Sequence, residues 1–456
     1  MSTVNFTPMG GAGEVGANSY VVEIGGLRIV LDCGLHPKKE GLAALPNFAP
    51  LKEAPDAVII SHAHIDHCGS VPYLMKLFPS TTGYATAPTL RIMDRMLHNS
   101  VSVMGILRDE RNIPEYPLYE HVDVDNAMRR CYGIDMGQEF RLFPDSPVRV
   151  RFHPAGHVLG CASIELYSPD HSLFYTADIS AVDQELMPGF EAPANARSFD
   201  TLIIESTYGA NEGADAIDYG AEADRFGLDI ATVLRGGGCV LVPCFALGRA
   251  QEILNIVARM QEDGTIPDVP VYASGLGRAI YEIYDRFSGQ LKPEARLSPL
   301  ANFGRVGDVW DPAVARTLLK TPGIIVATSG MMIENTPSAM IAQHMIKETQ
   351  HGIFFVGYCD PDTLGHRVKA SKPGDELVFT LGGQPVKVAL ENVRSYHFSA
   401  HAPRKALQRV VERFNPKNLI FVHGDPPAVA WMHENCGNGC AKFDPVIGEK
   451  VVLHPR

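Results

Sequence analysis

Three imidazoles and a carboxylate fall within six residues at His62-Ala63-His64-Ile65-Asp66-His67. Nitrogen and carboxylate oxygen together suit zinc or a comparable borderline divalent cation. Four donors so close in sequence cannot all face one ion in unstrained geometry, so the spacing is better served by two ions side by side. Two adjacent metals are a standard arrangement for hydrolysing a phosphodiester or an amide with an activated water. Only 17 histidines are spread over 456 residues, so three in six is a concentration that chance explains poorly. His157 stands in Gly156-His157-Val158-Leu159-Gly160, where flanking glycines let backbone approach a crowded site. Asp178, in Thr176-Ala177-Asp178-Ile179-Ser180, follows a strand and is placed to bridge two ions. Taken alone, His157 reads equally as a loop histidine and Asp178 as a helix cap.

Such side chains need a scaffold that converges on them. Val58-Ile59-Ile60, directly before the cluster, reads as a short buried strand. Tyr20 to Ile24 and Leu27 to Leu31 read as a hairpin turning at Gly25-Gly26. Helices are expected over Ser70 to Phe78 and Thr89 to Arg108, and strands over Val148 to Phe152, Ala162 to Tyr167 and Leu173 to Thr176. Two sheets flanked by helices fit this half. From about Tyr208 the pattern changes: helices at Ala221 to Arg235 and Arg249 to Glu262 alternate with strands near Val240, Val271, Ile324 and Ile353. That alternation implies a parallel sheet in an α/β domain. From Glu376 strands return, a helix follows over Pro403 to Phe414, and the strand Leu419 to Val422 delivers His423.

Length and composition bound the rest. At 456 residues the chain exceeds one typical core, so two domains are expected. A hydrophobic content of 45% and a charged content of 20% are ordinary for a globular protein. No apolar run is long enough to span a bilayer, and Met1 to Phe6 lacks the basic start and apolar core of a secretory signal. Nine cysteines at irregular spacing form no disulfide framework, and a reducing cytoplasm fits best. Cys436 and Cys440, around Gly-Asn-Gly, read as thiols in a glycine-rich turn. The net charge of −12 argues against coating nucleic acid by bulk electrostatics. It leaves room for a local groove, because bound divalent cations themselves attract phosphate.

In the order HxHxDH, then His157, then Asp178, the series resembles the metallo-β-lactamase superfamily. Gly10 to Gly16 and Leu31-Asp32-Cys33-Gly34 resemble its nucleic-acid-processing members. Ile204-Glu205-Ser206-Thr207, Phe398-Ser399-Ala400-His401-Ala402 and Val422-His423-Gly424-Asp425 resemble motifs A, B and C of the β-CASP nucleases. The segments Phe245-Ala246-Leu247-Gly248-Arg249 and Thr328-Ser329-Gly330-Met331 agree. The resemblance implies an α/β fold, a metallo-β-lactamase αββα sandwich with an inserted β-CASP domain. Residues 1–208 and 369–456 would form the first domain and residues 209–368 the insert, which caps the metal site and leaves a cleft for a single strand. It further implies two Zn2+ ions, with Mn2+ the alternative. His62, His64 and His157 would hold one, Asp66, His67 and His423 the other, and Asp178 would bridge them. Histidine rather than valine in motif C goes with RNA-processing members, so His423 favours single-stranded RNA. Pro403 departs from the family, where many members carry an aspartate.

The expected nucleophile is a hydroxide between the two metals, attacking phosphorus in line and oriented by Asp66 and Asp178. His401 is the candidate general acid, its charge stabilised by Glu205. The resemblance implies 5′-phosphate and 3′-hydroxyl products. Ser274-Gly275 and Ser329-Gly330 could cradle substrate phosphates through successive backbone N–H groups, or serve tight turns only. Arg249, Arg278, Arg367 and Arg394 are candidate phosphate contacts; His366 and His397 have no assigned role. The expectation is therefore a zinc-dependent ribonuclease of the cytoplasm, endonucleolytic, with 5′-exonuclease action as a variant and a homodimer admitted. Only 33 residues follow His423 (456 − 423), which favours the compact endonuclease type. The net acidity is the best argument for the alternative, a hydrolase of a small ester or thioester. A DNA nuclease is disfavoured by His423, and a metal-free binding module by seven intact ligands.

Overall fold

The computed structural model describes residues 4–380 and 382–455. The chain forms two compact units: one runs to Val182 and continues over Gly189–Ala216 and Ala400–Arg456, the other comprises Asp183–Pro188 and Ile217–Ser399.

The first unit holds two seven-stranded sheets. In one, Val451–Leu453 is followed across the sheet by Val4–Gly10, Ser19–Ile24, Leu27–Leu31, Ala57–Ile59, Thr82–Ala85 and Cys131–Gly133. In the other the order is Ala441–Phe443, Asn418–Val422, Thr201–Glu205, His171–Tyr175, Ala162–Ser168, Arg149–Pro154 and Glu139–Arg141. The hairpin pairs Tyr20 with Leu31 and Ile24 with Leu27. Its turn needs positive φ twice, which Gly25 (+57°) and Gly26 (+82°) supply. Phe6, Tyr20, Val22 and Ile29 share one buried core with Phe152, Ile164, Leu173, Tyr175 and Ile420.

Boundaries shift where a local device intervenes. The helix expected over Ser70 to Phe78 is Val71–Leu77, with Ser70 and Phe78 as its caps, and a separate short helix, Ile65–Cys68, precedes it. The longer helix runs over Ala87–Arg111: the Thr86 side chain accepts from Thr89 N–H at its start, and Asn112 ends it in the left-handed region. No helix among the described residues is long and apolar enough to cross a membrane.

The second unit is built on six parallel strands in the order Phe303–Arg305, Val271–Ala273, Ile324–Ala327, Val240–Pro243, Gly352–Phe355, Asn392–Ser395. Val240, Val242, Ile324, Val326 and Phe354 enter one core, while Leu241, Ile325, Ala327, Ile353 and Phe355 enter another. Burial on both faces is why these strands read as unbroken apolar runs. The unit extends through Ser399, past residue 368, because Asn392–Ser395 pairs with Gly352–Phe355 along the sheet edge. The separate piece Asp183–Pro188 is anchored inside this unit. Leu186 N–H donates to both Glu252 carboxylate oxygens at 3.2 and 3.1 Å, and Lys292 Nζ donates to Gln184 O at 2.5 Å.

Candidate metal centre

Strand ends supply the chemistry of the first unit. His62 and His64 follow Ala57–Ile59, and Asp66 and His67 lie on the short helix Ile65–Cys68. His157 follows Arg149–Pro154, Asp178 follows His171–Tyr175, and a bridge between Gly156 and Ile179 holds those two loops together. Glu205 ends Thr201–Glu205, and His423 comes directly after Asn418–Val422. The backbone there is forced: Asp32, Ala177 and His423 have φ of +56°, +51° and +49°. Each such residue costs roughly 1–3 kcal/mol, a strain that clusters at functional sites. Gly34 permits the close packing beneath, since a Cβ there would lie 1.7 Å from Asp66 O.

The structure brings all seven sequence-derived ligands together. Donor atoms of His62, His64, His157 and Asp178 form one group, and those of Asp66, His67 and His423 a second. His64 Nδ1 lies 3.0 Å from His62 Nε2 and 3.1 Å from His157 Nε2. Asp178 faces both groups. Its Oδ2 is 3.7, 3.6 and 3.3 Å from Nε2 of His62, His157 and His67, and its Oδ1 is 3.3 Å from His423 Nδ1. His423 Nε2 is 3.4 Å from Asp66 Oδ2.

These donors fit divalent cations. Ring nitrogens converging at this separation match the edge of a tetrahedral site with metal–nitrogen bonds of about 2.0–2.1 Å. Among the described residues Asp178 Oδ1 is buried without a hydrogen-bond partner, a costly state for a carboxylate that a cation relieves. Burial first, then neighbouring imidazoles, push the His62 pKa well below the ordinary value. Burial opposes charge on Asp66 and Asp178, yet the His67 and His423 imidazoles hold both carboxyls well below the usual range. Neutral imidazole and ionised carboxylate are the states a metal requires. Burial also opposes charge on His67, but Asp178, Asp66 and Asp32 raise its pKa well above normal. Three carboxylates around one ring favour positive charge at that position.

Outer partners fix the rings. His67 Nδ1 is 2.9 Å from Asp32 Oδ2, His62 Nδ1 is 3.0 Å from Ser61 Oγ, His157 Nδ1 donates to Ala400 O at 2.9 Å, and His423 Nδ1 is 2.9 Å from Thr207 Oγ1. Each leaves Nε2 for the centre, which is how such partners select the tautomer. Asp32 also accepts from Ser61 N–H at 2.7 Å, Ser61 Oγ at 2.8 Å and Tyr175 OH at 2.8 Å. Asn18 Nδ2 lies 3.0 Å from His67 Nε2. Sequence reasoning did not assign roles to Asp32, Asn18, Ser61, Thr207 or Tyr175; the sole signal was Asp32 at a strand end inside Leu-Asp-Cys-Gly.

His401 sits beside the first group, its ring centroid 4.7 Å from that of His157. Its Nδ1 is 3.1 Å from Glu205 Oε2, and Glu205 is itself held by Ile179 N–H at 2.7 Å and Thr207 Oγ1 at 2.6 Å. Burial opposes the imidazolium, but Glu205 outweighs it and raises the His401 pKa to about 9. Ser274, Gly275, Ser329, Gly330 and Arg249 all belong to the second unit. Ser274 Oγ donates to Thr328 Oγ1 at 3.3 Å, so the two glycine turns are neighbours. Arg249 does not join them at a surface: its side chain is buried and donates to Gln184 Oε1 at 3.2 Å. Arg367 pairs with Glu334.

Residues 12–233 match the metallo-beta-lactamase superfamily model, residues 250–368 the Beta-Casp domain, and residues 385–439 the Zn-dependent metallo-hydrolase RNA specificity domain. Transcription termination factor FttA of Pyrococcus abyssi is 30% identical over 458 residues, covering 93% of this chain and 67% of that protein. The chain spans 66% of the FttA of Methanocaldococcus jannaschii, just under two thirds of its length. An RNase J-like protein of M. jannaschii is 29% identical over 422 residues, 91% of each chain. A crystal structure of an Enterococcus faecalis V583 protein of unknown function shares the fold, with TM-score 0.60, 15% identity, and 99% of this chain and 100% of that one covered. With its three domain matches in order and a divalent-metal ligand set assembled at the strand ends, the chain belongs to the β-CASP branch of the metallo-β-lactamase superfamily.

Proposed function

We propose that this chain is a metal-dependent hydrolase of phosphodiester bonds in single-stranded RNA, using zinc at both positions and cutting endonucleolytically. The observation that carries the reading is Asp178, a buried carboxylate facing two groups of metal-type donors at once, with His401 and Glu205 alongside. The RNA specificity match over 385–439 and the RNase J-like relative favour RNA as the polymer. In this reading the first compact unit, which includes Gly189–Ala216 and Ala400–Arg456, carries the chemistry, and the second, built mainly of Ile217–Ser399, forms the insert. Cutting a nascent transcript would also serve termination, the role in the name of the FttA relatives. All nine cysteines are free thiols, in keeping with a cytoplasmic place of action.

His62, His64 and His157 would hold one cation, Asp66, His67 and His423 the other, with Asp178 between them. Bound there, divalent cations supply Lewis acidity and a water activated near neutral pH. The protein does the positioning. Asp178 is buried and Asp66 half-buried, and the neighbouring imidazoles lower the pKa of both, which suits them to orient the attacking water as carboxylates. Glu205 accepts a hydrogen bond from His401 Nδ1–H and stabilises the imidazolium, which leaves Nε2–H as the proton for the departing oxygen. Ile179 N–H and Thr207 Oγ1 keep Glu205 from turning away.

The test is cleavage of internally labelled single-stranded RNA by the zinc-loaded protein, beside Asp178→Ala and matching DNA. Internal, metal-dependent cuts in RNA that vanish in the variant are expected. Metal-loaded protein inert on RNA but active on a thioester or small ester would sink the proposal.

A further inference from the structure

Beyond the metal centre, the second unit carries a rim that the chemistry above does not use. Its parallel strands set the segments after them side by side in sheet order. Ser274 follows Val271–Ala273, Thr328 to Gly330 follow Ile324–Ala327, Phe245 follows Val240–Pro243 by one residue, and Gly357-Tyr358 come just after Gly352–Phe355. In open α/β sheets ligands bind outside the carboxyl ends of the strands. Adjacent strands lie about 4.8 Å apart, so these four segments span roughly 14 Å.

The character of the rim changes along that span. At one end the Arg278 guanidinium is anchored on the carbonyl oxygens of Phe303 and Gly304, the latter at 3.2 Å. Burial, and then the charge of Arg305 nearby, lower its pKa, with Glu282 opposing. Hydroxyls and amides of Thr328 and Ser329 come next, over the buried Ser274, whose hydroxyl is held by Thr328. At the other end stand two aromatic rings, Phe245 at 37% and Tyr358 at 56% exposure, whereas Phe226, Phe354, Phe355 and Phe398 of the same unit are buried.

Both rings are held. A Cβ at Gly330 would lie 2.8 Å from Phe245 N and 3.0 Å from its ring Cδ2, and one at Gly357 would lie 3.5 Å from Cε2. The ring rests on two glycines, and any side chain at Gly330 would move it. Tyr358 OH donates to Asp360 Oδ2 at 3.2 Å, and Cys359 Sγ donates to Gly330 O at 3.8 Å, tying the Tyr358 loop to the glycine turn on which the Phe245 ring rests. A fixed, exposed aromatic pair is otherwise a solubility liability.

We propose that this rim is a stacking platform for single-stranded RNA, with Phe245 and Tyr358 taking the faces of successive bases while the phosphates lie toward Ser329, Thr328 and Arg278. The inference rests on the ribonuclease reading and deepens it. A surface that passes from cation through hydroxyl and amide to π-face over one short span matches a polymer that is phosphate on one side and base on the other. Stacking is also sequence-tolerant, and it gives a chain of net charge −12 a source of affinity other than bulk attraction.

The experiment compares metal-loaded wild type, Phe245→Leu and Tyr358→Leu, with Phe245→Tyr and Tyr358→Phe as aromatic controls. Each is titrated with a short RNA carrying 2-aminopurine and with an abasic oligomer of the same length. Stacking is worth about 1–3 kcal/mol per base, so each leucine variant should lose roughly 5- to 150-fold in affinity for the intact RNA. It should also lose the 2-aminopurine quench, and bind the abasic oligomer as wild type does. The aromatic controls should restore both signals. Leucine variants that bind and quench like wild type would overturn the platform and give the rim to a protein partner. So would equal losses on the abasic oligomer, or aromatic controls that fail to rescue. Wild type that hydrolyses bis(p-nitrophenyl) phosphate but binds no RNA would overturn the ribonuclease reading together with the platform. RNA cleavage with indifferent leucine variants would overturn the platform alone.

Discussion

Asp32 shows how much of the centre is held from behind. Its two oxygens accept four hydrogen bonds, from the main chain and side chain of Ser61, from Tyr175 and from the His67 ring. Asp32→Asn would put an amide where a donor already points, and His67 would lose the partner that selects its tautomer. Loss of such a partner typically costs about 10–100-fold in metal affinity. Competition with a chromogenic chelator should therefore find one of the two cations weakened and the other retained. His401→Ala tests a different role: it should keep both cations while RNA cleavage falls about 10²–10⁴-fold. Metal loss in that variant, read by atomic absorption, would remove His401 from general-acid duty. The ligands themselves were legible because four lie within six residues. Asp32, Asn18 and Thr207 were not, since each is one polar residue at a strand end whose partner is chosen by sheet order.

Elements carry their own ionisation. Glu252, on Arg249–Glu262, is raised from 4.5 to about 7, by burial first, with Arg249 opposing. A carboxyl raised on folding binds its proton in the native state before it does so unfolded. Stability is therefore fullest below about pH 4.5, falls as pH rises toward 7, and stays lower above. A shift of this size is worth up to about 3 kcal/mol. Glu252→Gln should flatten the decline, measured as urea midpoints of the second unit at about pH 5 and about pH 8. An unchanged slope would mean that another group titrates. Strand and helix positions were mostly readable, down to the ends of Arg249–Glu262, a long run of one period, and of Ile324–Ala327, a short unbroken apolar run. Asn392–Ser395 was not assigned to the α/β unit, because its pairing with Gly352–Phe355 spans some forty residues and leaves no local mark.

At the scale of the molecule, the two units should answer differently to a chelator. The metal-type donors all lie in the first, where several strand ends meet on one cluster of imidazoles and carboxylates. A ligand that binds only the folded state adds about 2.7 kcal/mol at a hundredfold excess over its dissociation constant. Calorimetry with and without EDTA should lower the first unit's transition and leave the second's in place; a common shift would show that the units unfold as one. The net charge of −12 predicts a shallow salt dependence of RNA affinity, since few phosphates are neutralised by side chains.

The chain passes between the units four times, at 182/183, 188/189, 216/217 and 399/400. The insert is therefore not a single cassette. Excising Ile217–Ser399 would strand Asp183–Pro188, whose Leu186 amide and Gln184 carbonyl are held by Glu252 and Lys292. Transplanting one relative's insert onto another's hydrolase body needs two grafts, the long one and a six-residue stub upstream, carried as a matched pair.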